Sequence, residues 1–543
     1  MKFIKQIITI ILITLSSFIT YSQDFNWNKC YGGNDNDYPQ AIARYDSSIY
    51  ITGNSYSDSI TFENETLYAY RDMFITKLDL FGNVKWTKKF GNSEYTTCLD
   101  ITNDSEGFIY VVGQYFGYSV MFDSIELINS YYNDYDMFIT KLDSFGNVIW
   151  AKSYGGTGQD QCTSIVTDKN DNVIITGIFD SPEINFDTIS FNNTGESYDI
   201  FVAKFKNDGT FDWAKTIIGN EADYVHSINV DIDNNIYIVG GYTSQSLNTG
   251  NNFVSNTGNY DAFLIKYNPN GEDDFIQTVE GQFRQEAQDV LIDSARNITI
   301  CGLFNGYDTD FGNGFTFDSD LNENDSYLAK YDSIGNIINV KIISGNGQDE
   351  IESIDFDIEQ NICAIGWFNS DSIVFDNMII YNFDNANNPD IFLLKYDNSL
   401  NFEAAYAYGG TEWDIGKDIC VDGHSNAIII SSFSSQDLMI NGYTIPNQGY
   451  NDILVSSILT SNINNIQMLS KKDNQINIFP NPTSTYITIK ANKIQSIKVT
   501  NINGEEIYCG TDNEINCTSF SNGIYFINVT TSKQTFTRKF IKH

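Results

Sequence analysis

Few residues in this chain have the types and spacing that catalysis requires. Only three histidines occur, His226, His424 and His543, too few for an imidazole-based zinc or acid–base site. Neither G-x-S-x-G nor H-E-x-x-H is present, so two common hydrolase signatures are missing. Gly416-Lys417 begins like a phosphate loop, but Asp418 follows and the preceding Gly410 lies one residue too far upstream. Asp231-Ile232-Asp233 and Asp318-Ser319-Asp320 open like calcium loops, yet lack the glycine at position six and the acid at position twelve. They read as acidic hairpin turns, and no metal ligand set is expected. Of eight cysteines, none forms a C-x-x-C. Cys301 and Cys363 sit in apolar runs as small hydrophobes, whereas Cys509 and Cys517 flank a polar turn and are the expected disulfide.

Tyrosine carries the ligand-side signal. Five tyrosines, Tyr115, Tyr118, Tyr131, Tyr132 and Tyr135, crowd into residues 114–135. A flat ring with a hydroxyl suits the face of a sugar or peptide; the alternative is that these rings pack an inserted hairpin.

The elements that hold these residues repeat. DMFITKLD stands at 72–79 and again at 136–143, and variants follow at 199, 261, 325, 390 and 452. A second phrase, apolar alternation ending in glycine, recurs at Gly53, Gly113, Gly177, Gly240, Gly302 and Gly366, with Ser431 in the seventh unit. A third precedes it (SIVTDKNDN, 164–172), and a fourth follows (GNVIWAKSYGG, 146–156). Four short strands per unit, here called a to d, joined by Gly, Asn and Asp turns, describe a propeller blade. The chain opens on a lone d phrase (DFNWNKCYGG) and the seventh unit stops at a c strand. The expectation is therefore an all-β, seven-bladed β-propeller over 23–460, its last blade completed by the N-terminal strand. The period exceeds a minimal blade, and the excess lies between b and c, where an I-x-F-D phrase predicts an extra hairpin. The aspartate opening each strand c could form a ring able to hold calcium, but a residue repeated in every unit reads as a turn cap, so no cofactor is expected. The strand-c lysines (Lys77, Lys141, Lys204, Lys266, Lys330, Lys395) read as solvated surface residues.

Composition agrees. The chain has 543 residues, and 31 Lys+Arg stand against 70 Asp+Glu, a net charge of −39 that disfavours nucleic acid and anionic membranes as partners. Lys2, Lys5, the apolar run 7–15 and Thr20-Tyr21-Ser22 mark residues 1–22 as a signal peptide. No later stretch has the length of a membrane-spanning helix. Residues 461–475 read as a linker. From 471 to 543 the balance reverses, nine Lys+Arg against five Asp+Glu, and short alternating strands predict a small β-sandwich over 476–543.

The repeat resembles the SBBP-type propeller repeat, with its D-x-F-V-x-K and W-x-x-x-Y-G-G phrases, a family whose motifs specify architecture and hardly any activity. The tail resembles the C-terminal sorting domain of type IX secretion. Its opening phrase matches at Pro480, Asn481 and Pro482, an N-x-x-G turn at Asn501 and Gly504, L-x-x-G-x-Y at Gly523 and Tyr525, and the closing basic–apolar–apolar–basic phrase at Lys539 and Lys542. What this resemblance implies is handling by the type IX machinery, passage from the periplasm to the cell surface or medium, and removal of the tail. The functional expectation is a non-catalytic binding or adhesion module for glycans or surface polymers, its site on the b–c face at the five tyrosines. The rivals are a secreted polysaccharide-degrading or other hydrolytic enzyme and a structural surface component.

Overall fold

The computed structural model describes residues 25–91, 94–193, 197–319, 323–375, 378–383, 388–440, 443–460, 476–479, 485–491, 494–501, 505–531 and 535–542. The stretches read as a signal peptide (1–22) and a linker (461–475), together with Pro480, Asn481, Pro482 and Gly504, lie outside them. Contacts divide the chain into two units, 1–467 and 468–543. No helix among the described residues is long and apolar enough to cross a membrane.

Among its described residues the first unit is all β and propeller-like: seven separate four-stranded antiparallel sheets, none closing on itself. In the first, strands a to d are Asp37–Tyr45, Ser48–Ser55, Asp72–Asp79 and Val84–Phe90. The inner strands of the other six are Tyr95–Asn103, Asp160–Thr167, Asp223–Val230, Gln285–Ile292, Asp349–Phe356 and Asp414–Val421. Each packs on its successor, and the seventh packs on the first. The outer strand of the seventh sheet is Trp27–Tyr31, antiparallel to Asp452–Leu459, with Trp27 opposite Ser457 and Tyr31 opposite Ile453.

Every strand a carries a bulge, and the recurring glycine of strand b faces it. A Cβ on Gly113, Gly177 or Gly366 would stand within 2.0 Å of the backbone oxygen of Thr97, Gln161 or Glu350. In the seventh sheet Ser431 replaces this glycine, and its cross-strand partner is Gly416. A Cβ on Gly416 would stand 2.7 Å from the Gly366 backbone oxygen of the sixth sheet.

The strand-c lysines correct the expectation of solvated surface residues. Lys141, Lys204, Lys266, Lys330 and Lys395 are buried, Lys77 half-buried. Lys204 Nζ lies 2.8 Å from Asp168 and Lys395 Nζ 3.1 Å from Asp357, carboxylates that also cap the a–b turns of the same sheets. The same ammonium reaches one unit ahead. Lys77 donates to the Ser144 carbonyl at 3.1 Å, Lys141 to Asn207 at 3.1 Å and Lys266 to Ser333 at 3.3 Å. The strand-d tryptophans make the same reach, Trp86 Nε1 to Ser144 and Trp150 Nε1 to Asn207. Lysine and tryptophan recur because they stitch each sheet to the next. Removing the cation leaves a buried carboxylate alone, which costs about 3–5 kcal/mol. We expect Lys204→Met to lower the denaturant midpoint sharply and Lys77→Met, where no Asp partner is buried, to lower it far less; equal midpoints would deny the lysines this role.

The inserted b–c segments form seven two-stranded hairpins, such as Ser119–Phe122 with Ile125–Ile128. The Phe of I-x-F-D is buried in the seam between sheets: Phe122 stacks on Phe90 at 5.8 Å, and Phe186 lies 5.1 Å from Tyr154. The hairpins are buttresses.

The second unit holds a three-stranded sheet (Ile476–Phe479, Tyr486–Ala491, Glu514–Asn516) and a four-stranded sheet whose strands include Ile494–Asn501, Gly523–Thr531 and Thr535–Lys542. Ile487, Ile497, Ile515 and Ile527 fill its core, where Tyr525 stacks on Phe540 at 5.4 Å and donates its hydroxyl to the Ser521 carbonyl. Gly523 opens its strand opposite Lys542, and Lys539 pairs with Phe526. The expected Cys509–Cys517 bridge is not formed. Both are free: Cys509 is exposed on Glu506–Gly510, whereas Cys517 follows a strand of the other sheet and turns into the core.

Candidate functional site

The seven inner strands enclose a channel of about 380 Å³. At each bulge two residues meet it, among them Leu99/Asp100, His226/Ser227, Glu352/Ser353 and Lys417/Asp418. Its carboxylates are occupied by neighbouring strands. Asp100 accepts from Ser164 Oγ at 2.7 Å and from the Ile165 N–H at 2.8 Å; Asp418 accepts from Ser353 Oγ at 2.7 Å and the Ile42 N–H at 2.8 Å. Burial pushes Asp100 up to about 7 and Asp418 to about 6, against the hydrogen bonds that hold the ionised forms. These acids tie inner strands together.

At the end of the channel where the d–a and b–c connections emerge, two clefts open. The larger, about 860 Å³, spans sheets six, seven and one. Trp413 comes from the d–a turn before sheet seven and is 55% exposed; Trp367 is the penultimate residue of strand b of sheet six; Tyr38 and the exposed Tyr450 line the same cleft. Glu352 crosses the floor, accepting from Trp367 Nε1 at 3.0 Å and pairing with Lys417 Nζ at 3.2 Å, a contact that raises the lysine's pKa. Ser434 donates both its N–H and its Oγ to the Trp413 carbonyl at 2.8 Å, fixing the turn that presents the indole. An arc of rings runs from the cleft: Tyr38, Tyr56, Tyr95 and Tyr135 follow one another at centroid spacings of 6.0–6.2 Å.

The smaller cleft, about 570 Å³, lies between sheets four and five and is lined by Tyr224, His226, Tyr260, Phe283, Arg284 and Glu286, with Asn259 and Asn305. Glu286 is buried between His226 Nε2 at 2.5 Å and Arg284 Nε at 2.8 Å. Burial pushes its pKa up, and these two partners outweigh burial and hold it below the usual value.

The five tyrosines of 114–135 do not form one site. Tyr115 is buried, its hydroxyl 2.8 Å from Ser153 Oγ, which removes it as a ligand contact. Tyr135 is half-buried against Tyr95 and Phe116. Tyr118 and Tyr132 stack on each other at 4.0 Å and, with Tyr131, are exposed. The aspartates opening strand c cap turns: Asp136 accepts from the Ser130 N–H, Asp199 from Gly219 and Asp452 from Gln448. Among the described residues no three His, Cys, Asp or Glu side chains come together to hold a metal.

Sequence reasoning missed Trp367 and Trp413, although the signal was there. Of six tryptophans, Trp27, Trp86, Trp150 and Trp213 occupy the strand-d position, and the two outside that register meet in one cleft.

Residues 477–543 match the model of the secretion system C-terminal sorting domain. That tail sends the protein through type IX secretion to the cell surface or the extracellular space. The exported chain is also 24% identical, over 366 residues, to an uncharacterised WD repeat-containing protein of Acanthamoeba polyphaga mimivirus; the match covers 56% of this chain and 26% of that protein, so the chain spans about a quarter of this relative. Among solved structures, Drosophila Plexin A in complex with Semaphorin 1b is 7% identical with a TM-score of 0.36, covering 81% of this chain and 87% of the other. A Synechocystis apocarotenoid oxygenase variant is 9% identical with a TM-score of 0.35, covering 80% and 93%. Scores this low carry no functional argument.

Proposed function

We propose that residues 23–460 are a seven-bladed propeller closed by its N-terminal strand, exported as a non-catalytic module that binds glycans or surface polymers. The observation that carries this reading is the convergence of Trp367 and Trp413, the two tryptophans outside the repeat, in an open cleft of about 860 Å³ floored by Glu352 and Lys417. Seven near-equivalent units supply a scaffold, and a site needs a departure from their symmetry. Flat indole faces above hydrogen-bonding side chains suit the alternating apolar and hydroxyl surfaces of a sugar ring. The channel acids, each holding a neighbouring strand, are poorly placed to act as reagents. The b–c and d–a face stays the binding face, with its centre at sheets six, seven and one rather than at sheet two.

Binding of the exported protein to immobilised polysaccharides tests this. Trp413→Ala should weaken binding about tenfold or more, as for a truncated aromatic anchor, with the melting temperature almost unchanged because the side chain is exposed. Tyr131→Ala with Tyr132→Ala should have a smaller effect. Full binding by the Trp413 variant would overturn the assignment.

A further inference from the structure

The two clefts are joined. The channel mouth shares Gln40, Glu352 and Lys417 with the tryptophan cleft and Tyr224 and His226 with the cleft between sheets four and five. Both clefts arise where the repeat is broken in the same way. The d–a turns before sheets one to four and six read GGNDN, GNSE, GGTGQ, GNEA and GNGQ. Before sheet five the turn reads GQFR and before sheet seven GGTEW, so Phe283 and Trp413 are the two aromatic side chains placed on d–a turns at the channel mouth.

Resting on the binding reading above, we propose that the ligand is one linear polysaccharide, uncharged or cationic, that crosses the channel mouth and occupies both clefts. Each cleft, at about 860 and 570 Å³, has the size of a small-ligand pocket, and each pairs an aromatic face with fixed polar groups. Between them the mouth presents Gln40, Gln161, Thr163 and Gln288, amides and a hydroxyl that serve a chain of hydroxyls as both donors and acceptors. The cations of the clefts are neutralised, Lys417 by Glu352 and Arg284 by Glu286, and the chain carries −39 overall. A polyanion would meet repulsion, and the two cleft cations that could offset it are already paired.

Calorimetry of the exported protein with cello-, xylo- and chito-oligosaccharides, from disaccharide to octasaccharide and with chitosan and heparin added, tests the proposal. Affinity for the best series should climb about tenfold or more with length and then level off. Phe283→Ala should reduce the affinity of the longest members to that of the short ones and leave the short ones unchanged, whereas Trp413→Ala should weaken both. Affinity independent of length, no loss for long chains in the Phe283 variant, or tighter binding of heparin than of any neutral or cationic chain would each overturn the proposal while leaving a single-cleft binding module standing. Absence of binding by every oligosaccharide and by chitosan would overturn both.

Discussion

Deleting residues 25–33 should abolish the cooperative unfolding transition of the first unit. The segment is short, but its three aromatic side chains at 25, 27 and 31 are anchored in neighbouring sheets. Phe25 is buried between Tyr406 and Tyr408, with ring centroids 5.5 Å from both. Trp27 Nε1 donates to the Leu80 carbonyl at 2.9 Å, the same reach to the next unit that Trp86 and Trp150 make. Tyr31 packs on Phe62 at 4.9 Å, in the core shared by the first and seventh sheets. Truncating a buried aromatic costs about 3–5 kcal/mol, so losing Phe25 and Tyr31 alone consumes most of the 5–15 kcal/mol by which domains are stable. The loss also bares the edge of Asp452–Leu459, an apolar strand with unpaired backbone groups, and an exposed edge of this kind pairs with other chains. The truncated protein should therefore aggregate, and a synthetic peptide of residues 24–33 added during refolding should restore a monomer with parental melting. A truncated chain that melts like the parent would mean that the seventh sheet does not depend on this strand.

The opening segment was legible in the sequence because the repeat has a phase. DFNWNKCYGG carries strand-d residues with no strand c before it, and such a mismatch has few resolutions. Strand order within units was legible for the same reason. The burial of the strand-c lysines was not. Periodicity shows that a lysine recurs, but its partners lie tens of residues away: Asp168 meets Lys204 only when the strands of one sheet pair, and the Asn207 carbonyl meets Lys141 only when neighbouring sheets stack. The five tyrosines misled by the same omission: clustering in sequence placed Tyr115 beside Tyr118, whereas Tyr115 lies within strand b, buried against Ser153, and Tyr118 lies in the bend beyond that strand, in solvent. Cys509 and Cys517 flank a turn, but the first lies in one sheet and the second follows a strand of the other, and proximity in the chain did not become proximity in space. What would have found the cleft is subtraction. Once the tryptophans explained by the repeat are set aside, Trp367 and Trp413 remain.

The repeat also sets how stability responds to pH. Asp160, Asp223 and Asp414 open their strands buried, each accepting from a serine hydroxyl, Ser181 at 2.6 Å, Ser244 at 2.8 Å and Ser435 at 2.7 Å. Burial outweighs these bonds and pushes the three up to about 8, 6 and 7, and Asp100 and Asp355 on the inner strands up to about 7. In the unfolded chain all titrate near 4. Between pH 4 and 7 the folded protein therefore holds more protons than the unfolded one, so stability is full below about pH 4 for these groups and declines as pH rises through their folded values. Each group contributes a slope on the order of 1 kcal/mol per pH unit, and the self-repulsion of a chain carrying −39 acts in the same direction. The opposing set is the turn caps, Asp168, Asp293 and Asp357, held below the usual carboxylate range because their lysine and asparagine hydrogen bonds outweigh burial. Their contribution is present above pH 4 and is lost only as pH falls below it. The melting temperature should thus peak near pH 4 and be lower by many degrees at pH 8, the reverse of a protein whose buried acids are all salt-bridged. Asp160→Asn should flatten the fall between pH 6 and 8, because an amide keeps the hydrogen bond to Ser181 and has no proton to lose. A melting temperature that rises from pH 5 to 8, or an Asn variant with the parental slope, would show that these carboxylates are ionised in the folded state and that their serine and backbone donors outweigh burial.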